Sequence, residues 1–194
     1  MPDDLCIPLR SAALVLIDLQ HGIVVRPGAP RTGPEVVQNA VRLAAKFRES
    51  AATVVLVRVA FSPDRKDALH LDADAPMQAS ASLPPNWSEL VPEIGPREGD
   101  LLITKRQSGA FYGTDLDLQL RRRGVRTIVL AGIATNFGVE STARAAYERG
   151  YQQVFVEDAM TSLTAEGHDF VVKNIFPRIG RVRSTNTVLE ALSS

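Results

Sequence analysis

A chain of 194 residues, 45% hydrophobic and 23% charged, is long enough for one well-buried core and too short for two ordinary domains, so residues 1–194 are read as a single domain. Its 22 basic and 22 acidic residues cancel, which removes the electrostatic reason to expect nucleic acid or an acidic membrane as partner. The single cysteine, Cys6, excludes an intramolecular disulfide, no apolar run is long enough to span a bilayer, and the opening Met-Pro-Asp-Asp has no basic leader, so a cytoplasmic protein is expected.

Residues 13–18 (ALVLID) read as a buried strand. Apolar positions at helical spacing over 34–50 predict a helix, with Pro34 suited to its first turn. Residues 53–59 (TVVLVRV) form a second strand, and 101–105 (LLITK) a third. Between them, 62–99 is rich in proline (Pro63, Pro76, Pro84, Pro85, Pro92, Pro96) and poor in periodicity. It reads as a long loop over the C-terminal edge of the strands. A short helix follows over 114–123, with Thr114 as N-cap and Gly124 as C-cap; its Arg121-Arg122-Arg123 end suits a solvated last turn. Then come a strand over 126–132, a helix over 136–149 closed by Gly150, a strand over 153–157, and a helix over 165–176. A short strand over 181–184 and a helix from Thr187 end the chain. Apolar strands alternating with helices predict a three-layer α/β/α domain with a mainly parallel sheet. The order of strands around the first is open to more than one solution at this point.

In an open parallel sheet, ligands bind beyond the C-terminal ends of the strands. The polar residues there are Asp18, Lys105, the 132–138 turn, Glu157 and Asp158. A carboxylate and an ammonium at neighbouring strand ends either form a structural ion pair or move a proton, because burial pushes both toward neutrality while pairing keeps both charged. The 132–138 turn (GIATNFG) leads straight into a helix whose first amides suit an anionic oxygen. It is neither a dinucleotide fingerprint nor a P-loop. His21, His70 and His168 are scattered and match no metal-ligand spacing, so no metal and no cofactor are expected. Cys6 precedes the first strand, far from that edge in sequence, and reads as packing or surface.

Three blocks in order carry a resemblance. ALVLIDLQ at 13–20, KRQSGAFYGTDL at 105–116 and VLAGIATNFGVESTAR at 129–144, followed by VEDA at 156–159, resemble the isochorismatase-like (cysteine hydrolase) superfamily. The resemblance implies a six-stranded, Rossmann-like sheet and a pocket with an Asp, Lys and Cys triad. Asp18 and Lys105 stand at the first two positions, and Gly138 stands where the nucleophilic cysteine is expected. Without a thiol there, an acyl-enzyme of the amidase type has no nucleophile. Residues 59–65 (VAFSPDR) lack the histidines of the nicotinamidase metal site.

Glycine at this place is similar to the true isochorismatases, which cleave an enol ether with the aspartate as acid. The loop departs from theirs at Ala134 and Asn136, where a bulky aromatic and a histidine are usual. The resemblance thus implies a hydrolase of a small, carboxylated metabolite acting by non-covalent acid catalysis, or a family member that has lost catalysis and serves as a binding or scaffold protein. It also implies backbone amides of Ala134 and Gly138 facing the reaction, a substrate lining of Gln20, Gln107, Phe111, Tyr112 and Phe137, a cis peptide between Ile133 and Ala134, and a homo-oligomer, dimer or tetramer. Met77, Leu83, Trp87 and Leu90 on the 62–99 loop are apolar groups that need either their own domain or another subunit to bury against.

Overall fold

The computed structural model describes residues 5–74 and 84–193. In chain order they form β1 (Ala12–Ile17), α1 (Gly33–Glu49), β2 (Thr53–Val59), β3 (Leu101–Lys105), α2 (Leu116–Arg122), β4 (Thr127–Ile133), α3 (Glu140–Glu148), β5 (Gln152–Thr161), α4 (Ala165–Phe170), β6 (Arg181–Arg183) and α5 (Thr185–Ala191). Six strands make one sheet in the order β3-β2-β1-β4-β5-β6, and every pairing in it is parallel.

The four inner strands β2, β1, β4 and β5 are largely buried on both faces, and the period of two sorts their side chains into two cores. Ala12, Leu14 and Leu16 pack with Val36, Ala40, Leu43 and Phe47 of α1 and Val188 of α5. Ala13, Val15 and Ile17 pack with Leu116 and Leu120 of α2 and with Ala143 and Ala146 of α3. The sheet is therefore covered by helices on both sides, in three layers.

Several boundaries move from the sequence expectation for identifiable reasons. The first helix begins at Gly33, one residue early, because Thr32 and Glu35 form a capping box: Glu35 N donates to Thr32 Oγ1 at 3.4 Å and Thr32 N to Glu35 Oε2 at 2.8 Å. Thr114 sits one residue before the N-cap position of α2. Its hydroxyl donates to Ala110 O at 2.6 Å and accepts from Leu116 N at 3.2 Å.

The fifth strand runs past the expected 157 to Thr161 through a register shift opposite Leu130 and Gly132. That irregularity leaves Asp158 free to accept from Thr185 N at 2.6 Å, which fixes the start of the last helix two residues before the expected Thr187. The expected helix over 136–149 opens with a π-turn over Thr135–Val139, and the one over 165–176 is interrupted by another over Val171–Ile175.

Within the 62–99 segment, Pro76, Met77 and Leu83 lie outside the described residues. The end of the segment crosses the tip of β1: His21 N donates to Glu89 O at 2.9 Å and Val91 N to Leu19 O at 3.0 Å, while Val91 and Ile94 enter the core. Arg48 fastens it from α1, donating to Ile94 O and Asp100 Oδ2, each at 2.7 Å.

Candidate active site

The strand order reverses between the central strands β1 and β4, from which the chain winds outward to opposite edges. A crevice for ligands is expected beyond their C-terminal ends. Asp18 follows β1 immediately, with φ at 53°, a left-handed conformation that aspartate tolerates better than most residues. Its amide donates to Val57 O at 2.9 Å, so the turn is anchored to β2. Lys105 closes β3, and its Nζ lies 2.8 Å from Asp18 Oδ2. The pair is enclosed: Asp18 is 5% exposed and Lys105 2%.

Lys105 Nζ also donates to Ser108 O at 2.7 Å. Two of its three protons are thereby engaged. Asp18 Oδ1 is buried and has no partner within the protein. Burial is the largest influence on this carboxyl and raises its pKa from 3.8 to about 6; the charge and hydrogen bond of Lys105, and then the Val59 backbone, pull the other way.

Gly138 completes the group. A Cβ built on it would stand 3.3 Å from both Asp18 Oδ2 and Lys105 Nζ, and 3.0 Å from Ile17 Cγ2. A side chain at 138 would therefore press directly on the carboxylate and the ammonium.

The turn that carries Gly138 is tied down along its length. The Ile133–Ala134 peptide before it is cis, as is Ala29–Pro30. Phe137 N and Val139 N both donate to Ala134 O, at 3.1 and 3.2 Å. Thr142 Oγ1 donates to Gly138 O at 2.7 Å and accepts from Ala110 N at 3.1 Å. Ser162 Oγ donates to Asn136 Oδ1. Thr135 Oγ1 donates to Thr161 O at 3.0 Å and meets His168 Nδ1 at 2.8 Å.

The residues expected to line a substrate fall into two groups. Gln20 is fully buried with both ends of its amide on Val59, Nε2 donating to Val59 O at 2.9 Å and Oε1 accepting from Val59 N at 2.8 Å. Gln107 Nε2 donates to Gly109 O and Tyr112 O, at 2.8 and 2.7 Å, and so shapes its own loop. Phe111 is buried against Tyr151, with the Arg149 guanidinium 4.9 Å from its ring centroid. These three side chains have structural work. Tyr112 and Phe137 are exposed, and Phe137 lies on the same turn as Gly138.

Glu157 pairs with Arg31 at 3.0 Å, an ion pair that the sequence reading missed. His168 was also missed as a member of this region. Its partner Thr135 lies 33 residues away in sequence, so no local motif marks the contact. His21 begins the helical turn after β1, and His70 Nε2 contacts Arg65 O. Cys6 is exposed beside Ser193, next to the two-residue ladder of Ile7–Pro8 with Leu192–Ser193. Among the described residues, no three His, Cys, Asp or Glu side chains converge as metal ligands would.

Two open clefts lie elsewhere. One, of about 610 Å³, is at the N-terminal end of the sheet among Leu9, Arg10, Ala51, Thr53, Gly99 and Arg123. The other, of about 430 Å³, lies along α1 beside Val37, Val41 and Val91. The first is lined by no acid, and the second by Arg42 and Glu93, which form no ion pair with each other, whereas Asp18 and Lys105 pair at the strand-order reversal.

Comparisons with known proteins identify the family of the chain. The model of the isochorismatase domain matches residues 12–187. An isochorismatase family protein of Escherichia coli O157:H7, YecD, is 53% identical over 183 residues, covering 94% of this chain and 97% of its own. Another from Bacillus subtilis strain 168, YwoC, is 52% identical over 191 residues, covering 98% of each. The solved structure of an isochorismatase family protein from Burkholderia thailandensis superposes with a TM-score of 0.90 at 46% identity, covering 94% of this chain and 95% of that one.

Proposed function

Because the chain belongs to the isochorismatase family of hydrolases, we propose that it hydrolyses a small, carboxylated metabolite by non-covalent acid catalysis, with Asp18 as the acid. The observation that carries this reading is the burial of Asp18, which raises its carboxyl to about 6 although Lys105 lies 2.8 Å away. A carboxyl in that range holds a proton in a useful fraction of molecules near neutral pH, as a general acid must.

Gly138 offers no nucleophile, so the bond is broken without an acyl-enzyme. For an enol ether, Asp18 delivers its proton to the vinyl carbon. Water adds to the resulting oxocarbenium carbon and returns a proton to the Asp18 carboxylate. The hemiketal then collapses to an alcohol and a carbonyl compound. The third Lys105 N–H is the proposed donor to a polar substrate atom, and the amides of Ala134 and Gly138 are the proposed donors to the substrate's carboxylate. This chemistry uses the protein's own groups, without metal or cofactor.

A second reading has one observation in its favour. Asp18 and Lys105 are nearly closed off, and the open clefts lie elsewhere, as suits a family member retained for binding or scaffolding. A hydrolysis screen of enol ethers, amides and imides with purified protein separates the two. Turnover that falls 10²–10⁴-fold in Asp18→Asn, roughly the contribution of a general acid, is the outcome expected for catalysis. Turnover that persists in Asp18→Asn contradicts the role of Asp18. Failure of every substrate class to turn over favours the binding reading.

A further inference from the structure

Beneath the turn that carries Gly138 lies an imidazole that the proposed chemistry does not use. His168 is 2% exposed and sits in α4, with Nδ1 2.8 Å from Thr135 Oγ1. Thr135 is fully buried, and the same hydroxyl lies 3.0 Å from Thr161 O. A carbonyl oxygen only accepts, and a hydroxyl has one proton to give. Both contacts are hydrogen bonds only if the hydroxyl proton goes to Thr161 O and His168 Nδ1 carries a proton of its own.

We propose that His168 is a positioning residue for the site: its Nδ1–H holds the Thr135 hydroxyl, and through it the turn over Thr135–Val139, so that Ala134 and Gly138 stay packed over Asp18 and Lys105. Thr135 begins the π-turn directly after Ala134, and Gly138 is three residues on within the same turn. The far end of that turn is fixed independently by Thr142 Oγ1 on Gly138 O, at 2.7 Å. His168 and Thr161 hold the near end at Thr135, from α4 and the tip of β5 respectively, beside the bond of Ser162 to Asn136. Burial, then the charge of Arg31, keeps the imidazole below its ordinary range; Lys173 acts in the same direction and Asp169 against it. A neutral ring with its proton on Nδ1 leaves Nε2 bare.

The functional part of this proposal rests on Asp18 being the acid, and a substrate-free experiment separates the two. Long-range ¹⁵N–¹H NMR of the wild type is expected to find the His168 proton on Nδ1. A bare Nδ1 overturns the proposal. Titration of the Asp18 carboxyl by ¹³C NMR reads how closed the site is. In His168→Leu, a loosened turn admits water, and the Asp18 midpoint is expected to fall from about 6 toward 3.8 by roughly one pH unit or more. His168→Asn, whose amide places a donor near the position of Nδ1, is expected to restore it. An unchanged Asp18 midpoint in a folded His168→Leu protein overturns the proposal, because a role confined to general stability would leave that carboxyl where it was. If His168→Leu does not fold, Thr135→Val removes the same hydroxyl bonds without a large change of shape and is expected to give the same shift; no shift there overturns the proposal equally. A wild-type Asp18 midpoint already near 3.8 contradicts the acid assignment instead, and the location of the His168 proton then decides this proposal alone.

Discussion

Two opposing influences meet at Asp18. Burial favours the neutral acid, and Lys105 favours the carboxylate. Removing the ammonium in Lys105→Met leaves burial opposed only by the Val59 backbone, so the Asp18 midpoint is expected to rise above 6; ¹³C NMR titration checks this, and a fall would contradict the balance described. The same balance fixes a sign for stability. A carboxyl whose pKa is higher folded than unfolded stabilises the fold below the unfolded value, and that contribution is lost as pH rises through the folded value. Between pH 3.8 and about 6, the wild type is expected to lose on the order of 3 kcal/mol relative to Asp18→Asn, measured by denaturant unfolding across that window. Asp18 and Lys105 were legible in the sequence because each ends an apolar strand, where a charge is conspicuous. His168 was not, because a lone histidine in a helix carries no mark of a hydroxyl on another element.

At the scale of elements, β1 and β4 approach so closely that one residue decides whether they pair. Gly132 lies opposite Ile17 with φ at 122°, and a Cβ there would stand 2.2 Å from Ile17 O. Gly132→Ala is expected to destabilise the fold by about 3 kcal/mol, through both backbone conformation and overpacking, read as a lower denaturant midpoint with an unchanged slope. A variant as stable as the wild type would mean that the two strands have room to separate. The inner strands and the first helix were legible from apolar runs and periodicity, because each is buried along its length or along one stripe. The extension of β5 past Glu157 was hidden because the irregularity puts half-buried Glu157 and Asp158 in mid-strand, where charge reads as an end. The order β3-β2-β1-β4-β5-β6 comes from long-range pairing, which a period of two does not encode.

For the whole molecule, the apolar groups of the 62–99 segment bear on assembly. Trp87 is half-buried within its own chain, stacked on Phe61 with ring centroids 6.0 Å apart, and its carbonyl accepts from Gly22 N at 3.0 Å. Leu69 and Leu71 in the same segment are 67% and 75% exposed. We propose a homo-oligomer that covers these two leucines rather than Trp87. Light scattering at micromolar concentration is expected to give a multiple of 21.1 kDa for the wild type and a smaller mass for Leu69→Asp/Leu71→Asp; a wild-type monomer contradicts it. The proposed chemistry belongs to Asp18 and Lys105, and the pH dependence of kcat/KM on a substrate found in the screen reads it in the free enzyme. With Asp18 as the proton donor, kcat/KM falls as pH rises through about 6, and the fall is absent in Asp18→Asn. A kcat/KM that instead rises through that pH would make the ionised carboxylate the active form and contradict acid catalysis by Asp18.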